Sequence, residues 1–106
     1  MIIKSDLFIR LISWFNKPMA ITLYPFIIYS PKRMEGYFVD VLINHEKIHI
    51  EQQKELYVIG FYILYIYYFI KKRSYYDIPF EQEAYKNQSN IFYLTVRKKH
   101  SWRKYI

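Results

Sequence analysis

Apolar and polar positions alternate along the chain in ways that predict four elements. In 7–15 (LFIRLISWF), Leu7, Phe8, Leu11, Ile12 and Phe15 recur at helical spacing. An amphipathic helix is expected there. Asn16-Lys17-Pro18 ends it, because the residue before a proline avoids helical geometry. In 20–29 (AITLYPFIIY), β-branched and aromatic residues predict a strand, and Pro25, which cannot donate to a ladder, places it at a sheet edge. A polar turn (SPKRMEG) follows at 30–36, and 37–40 either adds a short second strand or leads directly into the next helix. From 39 onward the pattern is helical. The segment 51–55 (EQQKE) favours helix strongly, and 56–70 continues with no breaker except Gly60. One long helix is therefore expected through both, closed by Lys71-Lys72-Arg73, whose charge suits a helix C-terminus. A last helix should start near Asp77, a good N-cap, with Pro79 in its first turn, and run to about Asn87.

These elements add up to an α+β fold, mostly helical, with a small antiparallel β edge beside a long helix and a second helix behind it. At 106 residues the chain, 1–106, has room for one domain with one core. The stretch 56–70 is apolar nearly all round and must be covered. Its 15 residues reach about 22 Å as helix, short of the roughly 20 residues that cross a bilayer. A buried or interfacial helix is expected. So small a chain should cover it incompletely, leaving Tyr62, Tyr65 or Phe69 exposed beside Lys71, Lys72 and Arg73 at a membrane-surface or oligomer contact.

Composition sharpens this picture at three points. There is no cysteine, so disulfides and thiolate metal sites are excluded. Thirteen tyrosines suit half-buried surfaces and headgroup depth, where the ring is dry and the hydroxyl wet. The formal charge of +7, with a basic, aromatic tail at 97–105, favours anionic partners, lipid headgroups ahead of nucleic acid. At the N-terminus Arg10 interrupts the apolar run and no small-residue cleavage site follows. A cytoplasmic location, or a peripheral one on the inner membrane, is the expectation.

The chemistry is concentrated in His45-Glu46-Lys47-Ile48-His49, an HExxH motif. On a helix the two histidines project from one face a turn apart and can take adjacent positions on a tetrahedral zinc ion. Glu46 can then act as general base toward a zinc-activated water. A third ligand commonly comes from a following helix, and Glu81 and Glu83 compete for the role. They lie about 200° apart around a helix, so only one can face the metal. Glu81 is preferred because Ala84, on the same face, lets two helices approach closely. Gln52, a turn beyond His49, reads as an interhelical contact more than as a partner of a ligand. Tyr75, Tyr76, Tyr93, Arg97 and His100 are candidates by type for stabilising an oxyanion, and spacing does not separate them.

HExxH followed by Glu81-x-x-Ala84 on the next helix resembles the gluzincin metallopeptidases, in which the first Glu of that stretch is the third zinc ligand. HEKIHIEQQ with PFEQEA about 30 residues later also looks like small bacterial HExxH domains carrying HExxHxxQ and Pro-x-Glu-x-x-Ala around an aromatic-rich apolar helix. The resemblance covers roughly 21–93. It implies a minimal zincin-like domain with zinc on His45, His49 and Glu81, and a metallopeptidase reaction using Glu46 on a peptide or protein substrate. It departs at Tyr85, where gluzincins usually have the Asp that orients a zinc-bound histidine. The alternative is a non-catalytic, basic, Tyr-rich module that binds a membrane surface or partner and keeps the zinc as a structural or vestigial feature.

Overall fold

The structure, a computed structural model, describes residues 2–5, 20–29 and 39–106. The helix expected at 7–15 and the turn expected at 30–36 lie outside the described residues. Strand β1 (Ile2–Lys4) pairs parallel with β3 (Phe26–Tyr29), and β2 (Ala20–Leu23) pairs antiparallel with β3 on the other side, giving the order β1-β3-β2. The single strand expected over 20–29 is thus a hairpin. It turns at Tyr24-Pro25, and the proline sits where no ladder bond is needed instead of inside an edge strand. Ile27, Ile28 and Tyr29 of the central strand are buried.

The rest is helical: α1 (Val39–Glu55), α2 (Ile59–Lys72), α3 (Pro79–Asn87), a single turn α4 (Tyr93–Val96) and a closing 3-10 turn (Ser101–Tyr105). The long helix expected from 39 to 70 breaks at 56–58. Tyr57 (φ 56°) and Val58 (φ 64°) take left-handed backbone angles there, and the Val58 N–H closes on the Gln53 carbonyl at 2.7 Å. Neither residue favours that region, a β-branched one least. No local signal marks the bend. Tertiary contacts on either side hold it: the Glu55 carboxylate takes the Arg97 guanidinium and the His100 N–H, while Phe61 and Tyr68 turn back into the core. Helix α3 begins as expected with Pro79 at its first turn, although the extended residue before it is Ile78, and Asp77 makes no capping bond.

Phe61 and Tyr68 of α2, Ile78 and Phe80 around the start of α3, and Trp102 of the closing turn form the main core. Phe80 is its centre, with its ring centroid 4.7 Å from those of both Phe61 and Trp102. This cluster pins α2, α3 and the C-terminal turn together. Helix α1 packs against both α3 and β2.

Candidate metal centre

The buried face of α1 is polar. Asn44, His45, His49, Gln52 and Gln53 are all buried there, with Ile48 as the one apolar member. Burying so many polar groups on one helix is unfavourable unless each is hydrogen-bonded. Most are, and to α3. The Asn44 side-chain amide donates to the carbonyls of Gln88 (2.8 Å) and Asn90 (3.0 Å), which ties down the C-terminal end of α3. Ala84, fully buried, keeps the facing surface of α3 small.

On this face His45 and His49 meet Glu81 of α3. Their Nε2 atoms lie 3.1 Å apart, and Glu81 Oε1 lies 3.2 Å from the first and 3.0 Å from the second. The opposite ring nitrogens face glutamine oxygens: His45 Nδ1 is 2.8 Å from Gln88 Oε1, and His49 Nδ1 is 2.8 Å from Gln52 Oε1. The Gln52 amide cannot be turned round, because its nitrogen already donates to the Phe80 carbonyl (3.0 Å) and to Glu83 Oε1 (2.9 Å). Its oxygen must therefore accept from His49 Nδ1–H, which leaves the neutral ring with a bare lone pair on Nε2. The two Nε2 atoms and a carboxylate oxygen converging at about 3 Å need a proton or a metal cation between them.

The donor set suits a borderline-soft divalent ion such as zinc. Ligands about 2.0–2.1 Å from a tetrahedral zinc sit about 3.3 Å from each other, close to the observed edges. These three residues are the group among the described residues that could hold a metal. Without a metal, a proton takes that place. Burial alone depresses the His49 imidazole, but the Glu81 carboxylate beside it overrides that and lifts it to about 9. Burial likewise works against the Glu81 charge, and His49 and His45 outweigh it, holding the carboxyl well below the usual range. The second Glu81 oxygen accepts from the Tyr65 hydroxyl at 2.7 Å. Burial, then the Glu81 charge, push that hydroxyl upward and keep it a donor.

Glu46 follows His45 on α1 and is only partly buried. It points toward the sheet, where the Thr22 hydroxyl of β2 donates to its carboxylate. Its charge is nevertheless felt at His49 and Tyr65, so it shares the space around the triad. The competing ligand candidate, Glu83, faces away into a bond with Arg97. Arg97, Tyr93 and His100, three of the oxyanion candidates, are committed to Glu83 and Glu55 and do not reach the triad. Tyr76 stacks on Tyr85, and Tyr75 lies close enough to Glu81 for its charge, after burial, to push the Tyr75 hydroxyl upward. Tyr85, in place of the expected Asp, meets the His45 ring edge-on at 4.5 Å and makes no bond to its nitrogen. Gln88, three residues on, does that instead.

Sequence reading missed the roles of Tyr65 and Gln88; it set Gln52, one turn past His49, between partner of a ligand and interhelical contact and preferred the second, and the structure gives it both. Nothing local marks Tyr65, which reaches the site only because α2 folds back. Comparison of the chain with protein-family models, with curated proteins and with solved structures finds no match.

Proposed function

We propose that the chain is a minimal zincin-like zinc hydrolase, most simply a metallopeptidase, with zinc held by His45 Nε2, His49 Nε2 and Glu81 Oε1. The observation that carries this is the convergence of three buried electron-pair donors, with both imidazole Nδ1 atoms turned to glutamine oxygens. Zinc bound there supplies Lewis-acid chemistry, polarising a carbonyl and making water acidic. The chain's own residues do the rest. Glu46, accepting from Thr22 on one oxygen, keeps the other to take a proton from water and return it to the leaving amine. Tyr65 fixes the Glu81 carboxylate so that one oxygen faces the histidines. Strand β2 lies at the sheet edge against Glu46, where an extended peptide can add as a further strand.

Metal analysis tests the site. Purified protein is expected to hold about one zinc per chain, and His49→Ala close to none. A wild type that takes up no zinc at micromolar free metal would remove the proposal.

A second observation favours a contact with anionic lipid, whether or not the site turns over. On α2 the isoleucines Ile59 (72% exposed), Ile63 (64%), Ile66 (59%) and Ile70 (68%) fall on one outward stripe. Tyr62, Tyr67 and Phe69 flank it, while Tyr65, expected in the same patch, turns inward to Glu81. The stripe ends at Lys71, Lys72 and Arg73, in a chain of net charge +7. No helix among the described residues is long and apolar enough to cross a membrane, so the fitting mode is a helix lying on the surface. Sedimentation with phosphatidylserine-containing vesicles should pull the protein down at low salt and less at high salt. Ile63→Ser/Ile66→Ser should abolish it. Protein that stays in the supernatant in both salts rules the contact out.

A further inference from the structure

The fold divides at the bend after α1. The sheet and α1 make one half; α2, α3 and the C-terminal turn make the other, held by the core of Phe61, Tyr68, Phe80 and Trp102. The metal centre lies on the boundary. His45 and His49 stand in the first half and Glu81 in the second, and the bonds from Asn44 to Gln88, Gln52 to Phe80 and Glu55 to Arg97 cross the same line. The chain passes between the halves at 56–58. Tyr57 and Val58 hold left-handed angles there, one after the other, although neither is Gly, Asn or Asp. The helical bonds loosen as well, the N–H groups of Leu56 and Tyr57 reaching carbonyls three residues back at 3.3 and 3.4 Å. Yet the sequence from Glu51 to Ile59 contains no Gly or Pro and favours unbroken helix. At the same joint Tyr57 (88% exposed) and Ile59 (72%) stand open.

We infer that the chain exchanges its second half with a second copy of itself. In the exchanged dimer 39–72 runs as one helix about 50 Å long, and the half carrying α2 and α3 of each copy docks on α1 of the other. Every bond between the halves forms again with the partner copy. What changes is the joint, which gives up its two left-handed residues and gains helical hydrogen bonds. Short strained hinges are where such exchange starts. The two straightened joints lie side by side, so that the Tyr57 and Ile59 side chains of the two copies cover one another. Pairing costs the freedom of a separate chain, and concentration therefore favours the exchanged form over the closed one. Each metal centre becomes composite, with His45 and His49 from one copy and Glu81 from the other.

The composite centre rests on the zinc proposal; the exchange does not, and metal-free protein reads it alone. Light scattering of EDTA-treated wild type should find a dimer at high protein concentration. Tyr57→Ala/Val58→Ala, which favours helix through the joint, should raise the dimerisation constant about tenfold or more. Tyr57→Gly/Val58→Gly, which accepts the bend and disfavours helix, should lower it by at least about as much. Zinc then reads the composition of the site. His49→Ala and Glu81→Ala chains, each expected to hold close to no zinc alone, are unfolded together in urea, refolded, and the mixed dimer is isolated through two different affinity tags. One of its two sites has all three ligands, so it should carry about one zinc per mixed dimer. Glu81→Gln serves if the alanine variant does not fold. Wild type and the alanine joint variant both remaining monomeric, or a dimer that neither joint variant shifts, overturn the exchange. So does a mixed dimer without zinc where wild type carries it. A wild type that dimerises with this dependence on the joint but takes up no zinc sinks the zinc proposal and leaves the exchange standing.

Discussion

Replacing Glu46 by glutamine is expected to leave fold and zinc content intact and to lower peptide hydrolysis by at least about a hundredfold, the usual contribution of a positioned general base. Glutamine keeps the side chain's length and can still accept from Thr22, so the packing of α1 on β2 should survive. What it lacks is a basic oxygen for the proton. Zinc content by mass spectrometry and cleavage of a quenched fluorescent peptide mixture, measured on both proteins, check the two halves separately. If zinc-loaded wild type and variant cleave equally, Glu46 is not the base. If the zinc-loaded wild type cleaves nothing, the binding module with a structural zinc becomes the better account.

The second large effect concerns stability. Glu83→Ala removes one partner from the buried cluster and leaves the Arg97 charge with Glu55 alone, while Tyr93 loses its acceptor and Gln52 one of its two. Breaking a buried, hydrogen-bonded pair in this way costs about 3–5 kcal/mol, a large part of the 5–15 kcal/mol typical of a whole domain. The contrast is Glu51, whose pair with Lys54 at 3.2 Å is largely open to solvent. Its removal should cost about 1 kcal/mol or less. Urea unfolding of the two alanine variants decides the matter, since a similar midpoint for both would mean that the cluster is not the stabilising feature its burial implies.

The Glu81 and Glu83 pair shows how far a linear pattern reaches. Both are buried glutamates on one short helix, and the 200° between them meant that only one could face the histidines. The small residue Ala84, on the same face as Glu81, was enough to choose the side that the structure turns toward His45 and His49.

Sequence alone therefore determined what depends on local periodicity and residue chemistry. His45 and His49 share a face because they are four apart on a helix, the absence of cysteine limited the donors to nitrogen and oxygen, and the patterns marked 20–29 as extended, 39–70 as helical without its break, and a further helix with Pro79 in its first turn. The tertiary structure alone decided the bend at 56–58, which depends on Glu55 meeting a partner 42 residues away and not on any breaker in the chain. That bend swings α2 back and delivers Tyr65 to Glu81. Likewise the orientation of Gln52, which faces its oxygen to His49 Nδ1, is set by hydrogen bonds to α3. An amide's two ends are equivalent in shape and differ only in which partners the fold brings to them.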